Sequence, residues 1–252
     1  MDKNSTAYTF IFATIVTTVA AILLGSAATA LKPLQDRNAD VDKKSKTLLA
    51  LGLYKSGMKA EAVQAFFTPE GNEGRIVKKF AVSHDGDVIE ISDEKELAEL
   101  TLFTQVKNFE EADRKYPIYA YFESKADVTA NKPSQYVVPI FGYGLWSNCF
   151  GVIALDSTGK TINNLVYYAH GETPGLGGEI EKPKFSESFV GKKVHDADGN
   201  VAITTSKSPV GDNQVMAVSG STFTMDGVNK MLKKYLTIYG RYIEKANQGG
   251  GK

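Results

Sequence analysis

The chain has 252 residues, with 29 Lys and Arg against 29 Asp and Glu, so its formal net charge is zero and no chain-wide field attracts nucleic acid or another polyanion. With 42% hydrophobic, 23% charged and 10% aromatic residues it can bury a sizeable core, which excludes a disordered tail, a collagen and a coiled coil. Its single cysteine, Cys149, excludes an internal disulfide framework and any metal cage that needs two thiolates of one chain.

The first element in chain order is an uncharged run. Ala7–Leu31 spans 25 residues without a charged side chain, and about 20 suffice for a helix to cross the hydrocarbon layer. A cleaved signal peptide competes, because Ala28-Thr29-Ala30 has the small-x-small pattern of a cleavage site. The run exceeds the roughly 7 to 15 apolar residues of such a leader, and only Lys3 precedes it, so a single membrane anchor over residues 1–33 is expected. Lys32, Arg37, Lys43, Lys44 and Lys46 follow the span, a bias that leans towards a cytoplasmic domain. Thr14, Thr17, Gly25 and Ser26 are residues of the kind membrane helix interfaces use.

Residues 34–135 read as mixed helix and strand. Two short helices fit QDRNADVDKKSKTLLALGLY and EAVQAFF. IVKKFAV and VIEI flank His84-Asp85-Gly86-Asp87, a hairpin signal because Asp-Gly supplies the positive φ of a tight turn. DEKELAELTLFTQVKNFEEADRKY reads as one helix and IYAYFE as a strand. A second hairpin joins CFGVIAL to INNLVYY through Asp156–Gly159, and a third is expected between FVGKKV and NVAITT around Asp196–Gly199. Val228, Met231, Leu232, Tyr235, Ile238, Tyr239 and Tyr242 form the apolar stripe of a C-terminal helix, before a loose tail over residues 247–252. Hairpins mixed with helices, without βαβ alternation, predict an α+β fold.

No Walker loop is present, Ser147 stands where a third Rossmann glycine would be, and no G-x-S-x-G elbow occurs. His84, His170 and His195 stand far apart, without the carboxylate–histidine spacing of a zinc site, and read as turn histidines. Three segments carry more. Ser219-Gly220-Ser221-Thr222-Phe223-Thr224 precedes the C-terminal helix, where orphan N–H groups and the dipole suit a phosphate; Ser or Thr capping those same groups is the alternative. Gly142-Tyr143-Gly144-Leu145-Trp146-Ser147 offers close backbone approach and aromatic faces to a flat ligand, or else is a strand-start bend with a core Trp. His170–Glu179, with four glycines and a proline, is a cradle or a turn.

Together, GYGLW, HGETPGLGGE and SGSTFT resemble the FMN-binding domain family of the C subunit of the Na⁺-translocating NADH:quinone reductase and, less closely, the G subunit of the Rnf-type complex. The resemblance extends over the whole chain and implies an anchor followed by a soluble α+β flavin domain over residues 136–246. It implies FMN joined by a phosphoester to Thr222, within Ser219, Gly220 and Ser221, installed by a flavin transferase. Tyr143, Leu145 and Trp146 would wall the flavin, and Glu172, Thr173, Leu176 and Gly177 would hold its ring, with Lys207 near ring or phosphate. Ser221 replaces the family's Ala, and Met216 stands where an acidic residue is usual, which bears on the efficiency of attachment. No catalytic side chain is required, since flavin performs the electron chemistry. The implied role is a one-electron relay from an iron–sulfur centre in the D and E subunits to flavin in the B subunit. The implied place is the bacterial inner membrane, single-pass, with the domain on the periplasmic side. A membrane-anchored binding or assembly protein without cofactor is the rival from another class.

Overall fold

The structure is a computed structural model that describes residues 5–249. It divides into two compact units, Met1–Lys43 and Lys44–Lys252. Helix α1 runs Thr6–Ala50, and its apolar part is long enough to cross a membrane. Phe10, Ile15, Leu23 and Leu24 are exposed on it, as suits side chains that face lipid. The expected break before the charged stretch is absent. Pro33 lies inside the helix and forfeits one backbone N–H bond, but its flanks are strong helix formers, and prolines are tolerated in such helices. Residues 35–50 therefore extend α1 rather than forming a separate helix.

In the second unit, Thr47, Leu48 and Ala50 at the end of α1 are buried. There follow α2 (Ala60–Ala65), β1 (Ile76–Val82), β2 (Val88–Ile89), α3 (Glu94–Glu99), α4 (Leu102–Asn108), β3 (Tyr116–Phe122), α5 (Lys125–Thr129) and β4 (Gln135–Tyr143). Then come β5 (Asn148–Asp156), β6 (Ile162–Ala169), α6 (Pro183–Glu187), β7 (Thr204–Ser206), β8 (Gln214–Met216) and α7 (Thr222–Asn247). The fold is α+β, as expected. One antiparallel sheet has the order β2-β1-β3-β4-β5-β6, so strands on either side of residue 135 share it, while β7 and β8 form a separate parallel pair. Asn247, the first residue of the expected loose tail, still belongs to α7, and residues 250–252 of that tail lie outside the described residues.

Two of the expected hairpins are present: β1 pairs with β2 around Gly86, at φ +83°, and β5 with β6 across Asp156–Gly159. The third is not. Gly191, at φ +78°, turns the chain inside FVGKKV, leaving only an isolated bridge between His195 and Val201. The single helix expected over residues 93–116 is also broken. Asp93 caps α3, accepting from Lys95 N at 2.8 Å, and Thr101 starts a second helix by accepting from Thr104 N at 3.2 Å. Tyr116 already belongs to β3, which pairs with β1 over seven residues.

The apolar stripe of α7 closes the core. Val228, Met231, Leu232, Tyr235, Ile238, Tyr239 and Tyr242 pack with Ile118, Tyr136, Ile140, Ile153 and Leu165 of the sheet. Tyr239 keeps its hydroxyl satisfied there by donating to Pro117 O at 2.9 Å. At roughly 1.5–3 kcal/mol per large buried apolar side chain, this contact is a large contribution to the unit's stability. It also sets where the three motif segments meet. Tyr143 pairs with Asn148 and Phe150 with Ala169, so the β4–β5 turn and the exit of β6 share one end of the sheet. The first turns of α7 lie against that end. A Cβ on Gly227 would stand 2.0 Å from Tyr143 O, so only glycine allows this approach of helix to strand.

Candidate functional site

The β4–β5 turn, Gly144–Ser147, is closed by Gly144 N donating to Ser147 O at 2.8 Å. Three successive N–H groups of this turn converge on one carboxylate. Trp146 N and Ser147 N donate to Glu172 Oε1 at 2.8 and 3.0 Å, and Leu145 N donates to Glu172 Oε2 at 3.0 Å. From the first turn of α7, Thr224 Oγ1 donates to Glu172 Oε2 at 2.7 Å. Glu172 and Thr224 are 4% and 2% exposed, so this is a buried charge with its acceptors filled. Burial pushes the Glu172 carboxyl upward, but the Thr224 hydroxyl and the three N–H groups outweigh it and hold the carboxyl below the ordinary range. The same charge, after burial itself, helps push the Cys149 thiol beneath it up to about 11.

The glycine loop wraps this carboxylate. Gly171 N donates to Ser147 Oγ, Glu172 N donates to His170 Nδ1 at 3.2 Å, and Leu176 N and Gly178 N donate to Thr173 O. A Cβ on Gly177 would lie 2.5 Å from Thr224 Oγ1 and 2.8 Å from Glu172 Oε2, so the loop can reach α7 only through a residue without one. Leu176 rests against Gly220, which brings the loop to SGSTFT.

Thr222 is the exposed first residue of α7. Ser221, its N-cap, is buried but does not cap: its hydroxyl donates to Ser219 O at 3.4 Å. The helix-cap alternative for SGSTFT is thus not what the chain builds. Exposed apolar side chains stand on the three segments, Tyr143, Leu145, Trp146, Leu176 and Phe223, with Tyr143 and Trp146 at 70% and 71%. A buried core Trp, the alternative for GYGLW, is excluded, and Gly142 and Tyr143 end a strand rather than start one. A cavity of about 470 Å³ opens beside Tyr143, Leu145 and Phe223 and runs along α7 past Lys230.

Ser219, Gly220, Ser221, Thr222, Tyr143, Leu145, Trp146, Glu172, Thr173, Leu176 and Gly177 therefore share one end of the sheet. Lys207 directly follows β7, where the Ser206 carbonyl accepts from Ala217 N at 2.9 Å, so it stands beside the segment that leads from β8 into SGSTFT. Met216 is exposed at the end of β8. The histidines do not meet: His84 faces Glu111 at 3.6 Å, His170 faces Glu181 at 3.3 Å, and His195 sits in the bridge to Val201. Among the described residues no group of three or more His, Cys, Asp or Glu is placed to hold a metal ion. The sequence alone did not mark Thr224 as a site residue. Its signal was available: it lies four before Val228 on the apolar stripe, and a polar group there needs a partner.

An uncapped helix start, an exposed threonine and an exposed apolar patch walled by glycine turns fit a flat, phosphate-bearing group. The class of the site agrees, since residues 144–237 match the family described as FMN-binding domain. The chain is 30% identical over 253 residues to the C subunit of the Na⁺-translocating NADH-quinone reductase of Pseudomonas aeruginosa, covering 93% of each chain. Against the C subunit of Haemophilus ducreyi it is 32% identical, covering 99% of this chain and 98% of the relative. A crystal structure of the C subunit from Parabacteroides distasonis aligns with a TM-score of 0.67 at 26% identity, over 84% of this chain and 96% of that one. The chain belongs to the family formed by the C subunits of the Na⁺-translocating NADH-quinone reductase.

Proposed function

We propose that this chain is the covalent-FMN electron carrier of a Na⁺-translocating NADH:quinone reductase, with Thr222 as the attachment residue. The observation that carries the reading is the exposed Thr222 at the start of a 26-residue helix whose N-cap side chain leaves the first-turn N–H groups uncapped. A phosphoester there keeps about one negative charge at the favourable end of the dipole, worth about 0.3–1 kcal/mol. Ser219, Gly220 and Ser221 shape the approach to the phosphate, and Lys207 is a cation for it. Tyr143, Leu145, Trp146, Thr173, Leu176 and Gly177 supply apolar wall and backbone for the ring. FMN, when bound, supplies the one-electron chemistry, and the protein's part is to hold it, tune it and leave an edge open.

In this reading residues 1–33 anchor the chain in the bacterial inner membrane, and residues 136–246 form the flavin region on the periplasmic side, after the intervening region 34–135. The lysines after the span argue for the opposite side, but large domains translocate regardless of such a bias. The chain takes an electron from an iron–sulfur centre of the D and E subunits and hands it to flavin in the B subunit, while the whole complex reduces quinone and exports Na⁺. A flavin transferase installs the cofactor. The test is the denatured chain from a host expressing that transferase: its gel band should fluoresce, and that of Thr222→Ala should be dark. A wild-type band equally dark would overturn the reading.

A further inference from the structure

We infer that Glu172 is the positioning residue of the flavin cradle: its carboxylate holds the Gly144–Ser147 turn and the glycine loop onto α7, and it is not itself a contact to the ring. This deepens the reading of Thr222 as the flavin site and rests on it. The carboxylate of Glu172 has about four acceptor positions, and four protein donors fill them, Leu145 N, Trp146 N, Ser147 N and Thr224 Oγ1, all at 2.7–3.0 Å. Nothing is left to accept from a ring N–H.

Besides the Gly144 N bond to Ser147 O, the Gly171 N bond to Ser147 Oγ and the contact of α7 with Tyr143, the turn is held by this carboxylate, because Tyr143, Leu145 and Trp146 are exposed and bring little packing of their own. Successive N–H groups pointing to one side form an anion-binding concavity, and here the anion is built into the chain 25 to 27 residues away. Gly144 and Gly177 make room for it, since a Cβ on Gly144 would lie 2.6 Å from the carboxyl carbon and one on Gly177 2.8 Å from Oε2. Through Thr224 the same group is bonded to α7 two residues past Thr222. One buried charge therefore sets the position of the expected aromatic wall relative to the expected attachment point.

The experiment uses the full chain, first made without the transferase. Trp146 is the only tryptophan, so its fluorescence anisotropy reports the turn alone. Glu172→Gln, which sets an amide donor against backbone donors, should lower the anisotropy with the far-ultraviolet circular dichroism unchanged, and Glu172→Asp should recover part of it. Amide exchange on the wild-type chain provides a reading that needs no variant: Leu145, Trp146 and Ser147 N–H should exchange at least about tenfold more slowly than unbonded loop amides, as a local opening costing about 1.4 kcal/mol requires. In chains matured with the transferase, the flavin of Glu172→Gln should stay covalently attached but become severalfold more accessible to iodide quenching. Equal anisotropy and equal quenching in wild type and Glu172→Gln, or unprotected turn amides, would overturn the role of Glu172 while leaving a fluorescent wild-type band intact. A dark wild-type band, with protected amides and a mobile Trp146 in Glu172→Gln, would instead retain the staple and remove the flavin from the reading.

Discussion

Gly227→Ala and Gly240→Ala make the same chemical change in the same helix, and the structure predicts opposite results. At Gly240 an added Cβ meets nothing within 4 Å, so the substitution should gain the usual helix preference of Ala over Gly, about 0.5–1 kcal/mol. At Gly227 the Cβ would stand 2.0 Å from Tyr143 O, about 1.4 Å short of ordinary contact, and the obstacle is backbone in the sheet, which has no rotamer to change. The same propensity gain is then opposed by an overpacking cost of about 1–3 kcal/mol, so the net sign is destabilising, and α7 must lift from the end of β4. The assay is urea unfolding followed by circular dichroism, with Trp146 emission recorded alongside. Gly240→Ala should move the midpoint up and Gly227→Ala down, and only Gly227→Ala should alter Trp146 emission. A Gly227→Ala chain as stable as Gly240→Ala would refute the close approach of α7 to Tyr143.

Further outcomes follow from burial and charge. Because the folded Glu172 carboxyl titrates below the unfolded value of about 4.3, its contribution to stability is complete above that value and is lost as pH falls through the lower, folded one. An acid titration of Trp146 emission should show that step, and Glu172→Gln should lack it. Leu232, fully buried on α7, should cost about 2–5 kcal/mol when changed to Ala, read as a lower denaturation midpoint. Cys149, buried with its thiol pushed up to about 11, should resist iodoacetamide at pH 8 in the native chain and react after denaturation. If Trp146 walls the flavin, its emission should be quenched in the matured chain and recover in Thr222→Ala; equal emission in both would remove Trp146 from the site.

What could be read from the residues alone was what local physics determines. The long N-terminal helix was legible because a 25-residue uncharged run is long enough to cross a membrane, α7 because its apolar spacing is helical over about four turns, and two hairpins because Asp-Gly or Asp-Ser-Thr-Gly marks their turns. The failures had equally physical causes. Pro33 suggested a boundary that the helix formers on both sides override. Strand β4 carries no alternation, because most of its residues are buried on both faces, and Pro139 argues against a strand; it is tolerated beyond Val137, where β3 no longer pairs with β4. Thr101 looked like the interior of a long helix and instead caps a new one. The bond between Glu172 and Thr224 joins residues 52 apart, and no periodicity in one sequence can announce such a pair. The three motif segments were visible separately; only the fold shows that one carboxylate ties them together.

Covalent attachment at Thr222 is tested most directly by the mass of the intact chain, purified after maturation with a competent flavin transferase and followed by fragmentation. The expected mass exceeds that of the polypeptide by one FMN less one water, with the increment located on the peptide that contains Thr222. A chain weighing only what its amino acids weigh, or an adduct on another residue, would contradict it.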